Sequence, residues 1–159
     1  METLLQLRNR AGMTQSEAAK LFGVSLRSYQ DYENVPAKAE TIKYKYFTSK
    51  FEKMLLIDEE HGVLTIDQIK EICADVFKRY VVRTCVLFGS YSRGEATGKS
   101  DVDLLIDADV HGADFFGLCE ELRVNLHKVV DLLDLNQVMI NKVLLQEILK
   151  DGIRIYGKH

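Results

Sequence analysis

The sequence predicts an all-α region at the front of the chain, followed by an α/β unit with a small mixed sheet and flanking helices. In the N-terminal region apolar residues recur at helical spacing, whereas in the C-terminal region helical and strand patterns alternate. Charge also divides unevenly. Residues 1–54 hold 9 Lys/Arg and 6 Asp/Glu, a net +3, while residues 55–159 hold 12 and 18, a net −6. Because this change falls near a polar stretch, we expect domains at 1–60 and 61–159.

Composition excludes several classes of protein. With 47% hydrophobic and 28% charged residues among 159, the chain is not disordered, and its net charge of −3 is unlike a histone-type binder. No apolar run approaches the roughly 20 residues of a membrane span, and no signal-peptide core occurs near the start. An odd number of widely spaced cysteines favours buried small hydrophobes in a reducing cytoplasm: Cys73, Cys85 and Cys119.

The front region is predicted to contain three short helices and one long one. Thr14 and Glu17 have the spacing of a capping box at the start of the second helix. Gly23 suits the end of that helix, and Ser25 suits the N-cap of the third. The pattern over 38–57 predicts one long helix, whose aromatics pack inward while its lysines are solvated; the alternative is a basic aromatic face that grips nucleic acid.

The first 35 residues resemble the helix-turn-helix of phage-repressor-like regulators. The resemblance rests on a run from Met13 to Ser25, in which Ala18 and Ala19 let two helices approach and Val24 points inward from the glycine turn. It implies that the second helix of the pair lies in the major groove of DNA. The side chains implied to meet DNA are Gln15, Ser25, Arg27, Ser28 and Gln30.

A different interpretation of the same residues stays open. A net charge of +3 is weak for neutralising phosphates, because affinity grows with the number of counterions released. The exposed polar residues could instead be solvated on a helical bundle that serves dimerisation or binds a partner.

The back region alternates helices with strands. Its predicted helices are 65–80, 113–126 and 136–149, and its predicted strands are 84–88, 101–107, 128–135 and 152–156. Asp101 and Asp103 are two apart on a strand and therefore share one face. Asp131 lies in another apolar strand, where a carboxylate is costly without a partner. Three such acids on adjacent strands can hold two Mg²⁺ ions, and Asp131 can also serve as general base.

A small polar turn follows the first strand. Gly89 allows close approach of a phosphate to the backbone, and the Ser90 hydroxyl and nearby N–H groups can donate to it. Arg93 is placed to reach the same phosphates. The sequence therefore predicts a nucleoside triphosphate site between this turn and the three acids.

This motif is similar to that of the polymerase-β-like nucleotidyltransferases, and more narrowly of the minimal nucleotidyltransferases. The similarity spans about residues 65–157 and rests on Gly89-Ser90-x-x-Arg93-Gly94 followed by Ser100-Asp101-x-Asp103-Leu104, with Asp131 in the later strand. It implies that Ser100 also borders the nucleotide. The family commonly has Ala where this chain has Ser92, which is also small.

The resemblance implies an antitoxin that uses ATP and Mg²⁺ to transfer AMP to a tyrosine of a HEPN ribonuclease toxin. The helix-turn-helix would let it repress its own operon, and we expect a homo-oligomer or a hetero-oligomer with the toxin, without a membrane partner. Two alternatives stay open. The chain could be a DNA-binding repressor that neutralises its toxin by occlusion with a vestigial site, or it could transfer nucleotides to a small molecule such as an antibiotic.

Overall fold

The computed structural model describes residues 1–157, which form two compact units. The first is Met1–Leu56 and the second begins at Ile57. The second unit thus starts four residues before position 61. The physical reason is local: Arg123 pairs with Glu59 at 2.8 Å, and this contact ties the segment to the second unit.

The first unit is entirely helical, in agreement with the prediction. Its elements are α1 (Leu4–Arg10), α2 (Gln15–Phe22), α3 (Leu26–Asn34), a 3₁₀ helix (Pro36–Glu40) and α4 (Ile42–Met54). Reciprocal hydrogen bonds between Thr14 and Glu17 form the predicted capping box. Gly23 adopts a left-handed conformation at the end of α2, and the Ser25 side chain caps α3.

The single helix predicted over 38–57 is wrong. Thr41 adopts an extended backbone, and its hydroxyl accepts a hydrogen bond from the Tyr44 N–H, so α4 begins one residue later. The prediction that aromatics of this segment pack inward is confirmed for Phe47 and Phe51, which are buried. The Phe47 ring stacks on that of Phe22 with centroids 4.1 Å apart.

A buried ion pair supports the first unit. Arg8 of α1 donates from Nε to Glu33 Oε1 of α3 at 2.5 Å, and its Nη1 donates to the Met13 carbonyl at 2.8 Å. Burial raises the pKa of Glu33, but hydrogen bonds from Arg8 and Gln15 outweigh it and hold that pKa below its usual range. The pair therefore fastens α3 to α1 with both charges compensated.

The second unit contains a mixed four-stranded sheet with helices on both faces. Its elements are α5 (Ile66–Phe77), β1 (Val82–Phe88), α6 (Gly89–Ser92), β2 (Val102–Ala108), α7 (Ala113–Leu126), β3 (Val130–Asp134), α8 (Leu135–Val138), α9 (Lys142–Asp151) and β4 (Ile153–Tyr156). The strand order is β3-β2-β1-β4; β2 and β3 are parallel, and the other pairs are antiparallel.

The two faces of the sheet pack against different helices. Val102, Leu104 and Ile106 belong to a core with residues of α5 and α7, whereas Leu105 packs with residues of α8 and α9. Asp103 shares the face of Leu105, because successive side chains of a strand alternate. The second face therefore carries both a small apolar core and the acidic positions.

Three further differences from the prediction lie in this unit. The helix predicted over 136–149 is two helices, because the Asn141 side chain starts α9 by accepting a hydrogen bond from the Leu144 N–H. Cys119 is half-buried, whereas Cys73 and Cys85 are buried as predicted. Lys128 precedes β3 instead of lying in it.

None of the helices within residues 1–157 combines the length and the hydropathy required to cross a bilayer.

Candidate active site

The register of β2 and β3 brings the three predicted acids close together. Asp103 is paired in register with Asp131 on the parallel neighbour, and Asp101 is the residue immediately before β2. Burial, then the charge of Asp131 and then that of Asp101, raise the pKa of Asp103 to about 6, while Arg93 opposes the rise. These carboxylates therefore form a region of incompletely compensated negative charge.

Gly89 is required at its position by the carboxylate of Asp103. A Cβ on Gly89 would lie 2.9 Å from Asp103 Cγ and closer still to one carboxylate oxygen, and the Gly89 φ is +73°. Any other residue would both strain the backbone and displace the acid. The sequence predicts that Gly89 lets a phosphate approach the backbone, and the structure adds the second requirement that no Cβ meets Asp103.

The turn after β1 forms the short helix α6. Ser90 is half-buried in its first turn, and the Ser92 hydroxyl donates to the Gly89 carbonyl at 2.8 Å. Arg93 is exposed and pairs through Nε with Glu95 Oε2 at 3.0 Å. Its guanidinium is therefore accessible to an anionic ligand, in exchange for a surface carboxylate.

Ser100 has a structural partner in the loop before β2. Its hydroxyl accepts a hydrogen bond from the Thr97 N–H at 2.8 Å, and the Ser100 N–H donates to the Thr97 carbonyl at 3.1 Å. This closed turn leads directly into Asp101. Ser100 therefore shapes the loop, a role that the sequence analysis did not foresee.

Lys128 is the residue that sequence reasoning missed. Among residues 1–157 it is the one charged residue whose backbone and side chain are both buried, and its Nζ donates to the carbonyls of His61, Gly62 and Gly98 at 3.1, 2.7 and 2.7 Å. Burial lowers the pKa of this lysine. A lysine beside an apolar strand was the available sequence signal, but its acceptors lie 30 or more positions away.

The donor set suits a hard divalent cation, although the acids are not a closed cage. Within the part of the chain that the structure describes, no three or more His, Cys, Asp or Glu side chains are arranged as a ready metal site. Mg²⁺ usually takes one or two protein carboxylates and completes its coordination with phosphate and water. Burial and the charges of Asp131 and Asp101 raise the pKa of Asp103, and a bound cation would oppose that rise.

Several of the side chains predicted to face DNA already form hydrogen bonds within the protein. Gln30 Nε2 donates to Gln15 Oε1 at 3.1 Å, and Gln15 Nε2 donates to Glu33 Oε2 at 2.9 Å. The Ser25 hydroxyl accepts from the Ser28 N–H, as an N-cap does. The side chain of Arg27 is exposed. The two glutamines thus come together at the start of α2 and along α3.

Comparison with known families agrees with this geometry. The family profile described as polymerase beta, nucleotidyltransferase matches residues 68–159, more than half of the chain. The chain belongs to this nucleotidyltransferase family. A helix-turn-helix profile matches residues 4–35, which contain α1, α2 and α3.

Two individual proteins that are similar to this chain carry the name protein adenylyltransferase. A candidate protein adenylyltransferase of Methanocaldococcus jannaschii is 38% identical over 72 residues, which are 43% of this chain and 72% of that protein. The protein adenylyltransferase MntA of Thermococcus cleftensis is 42% identical over 50 residues, which are 29% of this chain and 50% of MntA.

A solved structure is also similar to this chain. It is a crystal structure of a toxin–antitoxin with AMP-PNP, with a TM-score of 0.50 and 26% identity. The match covers 60% of this chain and 76% of the solved chain.

Proposed function

We propose that this protein is a cytoplasmic antitoxin that transfers AMP from ATP to a tyrosine of a HEPN-type ribonuclease toxin in a Mg²⁺-dependent reaction. The observation that carries the proposal is the group of three carboxylates on β2, β3 and the preceding loop, held beside a glycine-serine turn. The similarity of this chain to protein adenylyltransferases and to a toxin–antitoxin that contains AMP-PNP supports ATP as substrate and a protein as acceptor.

The triphosphate is assigned to the turn. In this proposal the Gly89 backbone and the Ser90 hydroxyl face phosphate oxygens, and Arg93 leaves Glu95 to pair with the phosphates. Ser100 contributes by ordering the loop that ends at Asp101. An exchange of one carboxylate for a more highly charged triphosphate is electrostatically favourable for the arginine.

The metal ions are assigned to the acids. Asp101 and Asp103 would hold them, and Asp131 would complete one site. Bound there, Mg²⁺ would supply positive charge that offsets the charge developing on the phosphate oxygens.

The proton transfer of the acceptor step is assigned to Asp131. The tyrosine oxygen attacks the α-phosphorus of ATP, a new O–P bond forms, the bond to the bridging α–β oxygen breaks, and pyrophosphate leaves. The hydroxyl proton passes to Asp131, which is exposed on β3 and has Asp103 as its register partner. Asp131 is thus the general base in this proposal.

A second role, repression of the protein's own operon, is proposed for the first unit. The helix-turn-helix profile over residues 4–35 supports it. The DNA-facing residues in this proposal are Gln15, Ser25, Arg27, Ser28 and Gln30. A gel shift with the operon's upstream DNA tests this role, and no shift by wild-type protein would leave the first unit as an interaction module.

The transfer experiment uses radiolabelled ATP, Mg²⁺ and the HEPN protein encoded beside this chain. We expect label on a partner tyrosine with wild type and none with Asp101→Ala. Absence of label with wild type would overturn the transfer proposal. Full rescue from the toxin by the Asp101→Ala/Asp103→Ala double variant would instead indicate neutralisation by occlusion, and labelling of a free aminoglycoside would indicate a small-molecule substrate.

A further inference from the structure

Lys128 connects two loops that are distant in sequence. Its ammonium group has three donors, and each of them meets one backbone carbonyl, from His61, Gly62 and Gly98. All three acceptors lie within 3.1 Å of Nζ, and the side chain is completely buried. An ammonium in such a place is costly to desolvate, so its retention calls for a role that these contacts serve.

The loop that contains Gly98 lies tightly against the segment 60–62. A Cβ on Gly98 would come within 2.8 Å of the Glu60 carbonyl oxygen and 3.2 Å of His61 Cα. The segment itself is fixed by Asp58, whose Oδ1 accepts from the His61 N–H at 2.7 Å. Lys128 thus holds the loop against the segment 60–62 by hydrogen bonds to both, and that segment is itself ordered by Asp58.

The same short stretch of chain holds both ends of the segment that carries Asp101. Lys128 Nζ binds the Gly98 carbonyl, and the carbonyl of the next residue, Val129, accepts the Val102 N–H at 2.9 Å. Asp101 lies between these two anchors. Two residues beyond Val129 the chain reaches Asp131. Residues 128 and 129 therefore connect the backbone around one acid to the strand that carries another.

We propose that Lys128 is a positioning residue that sets the spacing of Asp101 and Asp131, and so the ability of the acids to bind Mg²⁺ with ATP. It touches no substrate and acts through the backbone of residues 98–101. This inference rests on the proposed function for its effect on AMP transfer, but its effect on the loop is independent of any activity.

The test compares Lys128→Met with Gly98→Ala and Lys99→Met. The first removes the ammonium but keeps the shape of the side chain, and the second displaces the loop from its support while leaving Lys128 intact. The third removes an exposed lysine of the same loop and is the matched control. If Lys128→Met does not fold, Gly98→Ala carries the test.

Hydrogen–deuterium exchange gives the first readout. We expect exchange of the 97–101 amides to rise about tenfold in the first two variants, with β1 still protected and Lys99→Met like wild type. The second readout is calorimetry with Mg²⁺ and AMP-PNP, where we expect the Mg²⁺ affinity to fall about tenfold, a typical effect of losing a residue that orients metal ligands.

Transfer kinetics give the third readout. We expect half-maximal transfer to need about tenfold more Mg²⁺ while the KM for the acceptor protein stays unchanged. Unchanged loop exchange in a folded Lys128→Met, or in Gly98→Ala where Lys128→Met does not fold, would overturn the inference, as would faster exchange with unchanged Mg²⁺ affinity. A wild-type protein that transfers no AMP would overturn the proposed function instead, while exchange and calorimetry would still decide the role of Lys128.

Discussion

The first unit contains a chain of polar side chains that are paired with one another, whereas the carboxylates of the second unit's acidic site are not paired in this way. In the first unit a continuous chain of hydrogen bonds joins Arg8, Glu33, Gln15 and Gln30, and its two charged members, Arg8 and Glu33, pair with each other. In the second, burial and then the neighbouring carboxylates raise the pKa of Asp103 instead of lowering it.

This difference separates groups that stabilise the fold from groups suited to a ligand. A buried pair such as Arg8 and Glu33 is complete without any further molecule. Neighbouring carboxylates repel one another until a cation arrives, so they cost stability in the protein alone. The lesson is that incomplete compensation of charge points to function more specifically than the presence of polar residues on a helix does.

Replacing the central acid gives the largest expected effect. Asp103→Asn should lower AMP transfer on the order of 1,000-fold, because it removes a proposed metal ligand while keeping the size of the side chain. Transfer of label from ATP to the toxin measures this. Asp107→Asn is the matched control on the same strand and face, where the carboxylate pairs with Arg83 at 2.7 Å. Equal loss in the two variants would contradict the assignment.

Breaking the paired region should cost stability and leave transfer unchanged. Glu33→Ala leaves the Arg8 guanidinium buried without its partner. We therefore expect the free energy of unfolding of the first unit to fall by about 3 kcal/mol. Because the pKa of Glu33 is lowered by folding, this difference is present above pH 4.5 and shrinks as the pH falls through the folded pKa.

The control for that experiment is the exposed pair of Arg10 and Glu2. Thermal unfolding of Glu2→Ala should match that of wild type, since surface pairs contribute little. A loss as large as that of Glu33→Ala would mean that burial is not what makes the Arg8 pair important.

Arg93→Ala tests the nucleotide side of the acidic region. We expect the KM for ATP to rise about tenfold, and Arg93→Lys to recover part of it, because lysine keeps the charge but loses bidentate geometry. Arg83→Ala, which removes a similar surface ion pair, should leave this KM unchanged. A purely reduced kcat in Arg93→Ala would contradict a binding role.

The smallest expected effect is on stability without metal. Folding raises the pKa of Asp103 to about 6. The protein therefore loses stability as the pH rises from about 4 to about 6, and the loss then stays constant at higher pH. Asp103→Asn should therefore be more stable than wild type at pH 7.5 by about 1 kcal/mol after solvent screening, or about 4 °C in Tm. Differential scanning calorimetry at pH 7.5 and 4.5 checks this, since the difference should shrink to about a third at the lower pH.

Local sequence signals predicted much of the fold. The capping box of Thr14 and Glu17 and the glycine at the end of α2 are decided within a few residues, and the structure contains both. The long helix over 38–57 failed because its apolar spacing continues across Thr41, whose cap interrupts the backbone without interrupting the pattern. A periodicity of side chains does not report where backbone hydrogen bonds are broken.

The candidate site divides in the same way. Strand geometry predicted that Asp101 and Asp103 share one face, and in the structure Asp103 lies in β2 while Asp101 is the residue immediately before it. The need for Gly89 beside Asp103 and the burial of Lys128 depend on contacts with residues 14 to 67 positions away. Such contacts are set by tertiary packing, so spacing along the chain could not predict them.

Titration calorimetry of the wild-type protein with AMP-PNP, with and without Mg²⁺, tests the central claim that the three acids bind a nucleotide through divalent ions. We predict binding that requires Mg²⁺ and is lost in Asp103→Asn but kept in Asp107→Asn. Binding of equal strength without Mg²⁺, or binding that persists in Asp103→Asn, would contradict the claim.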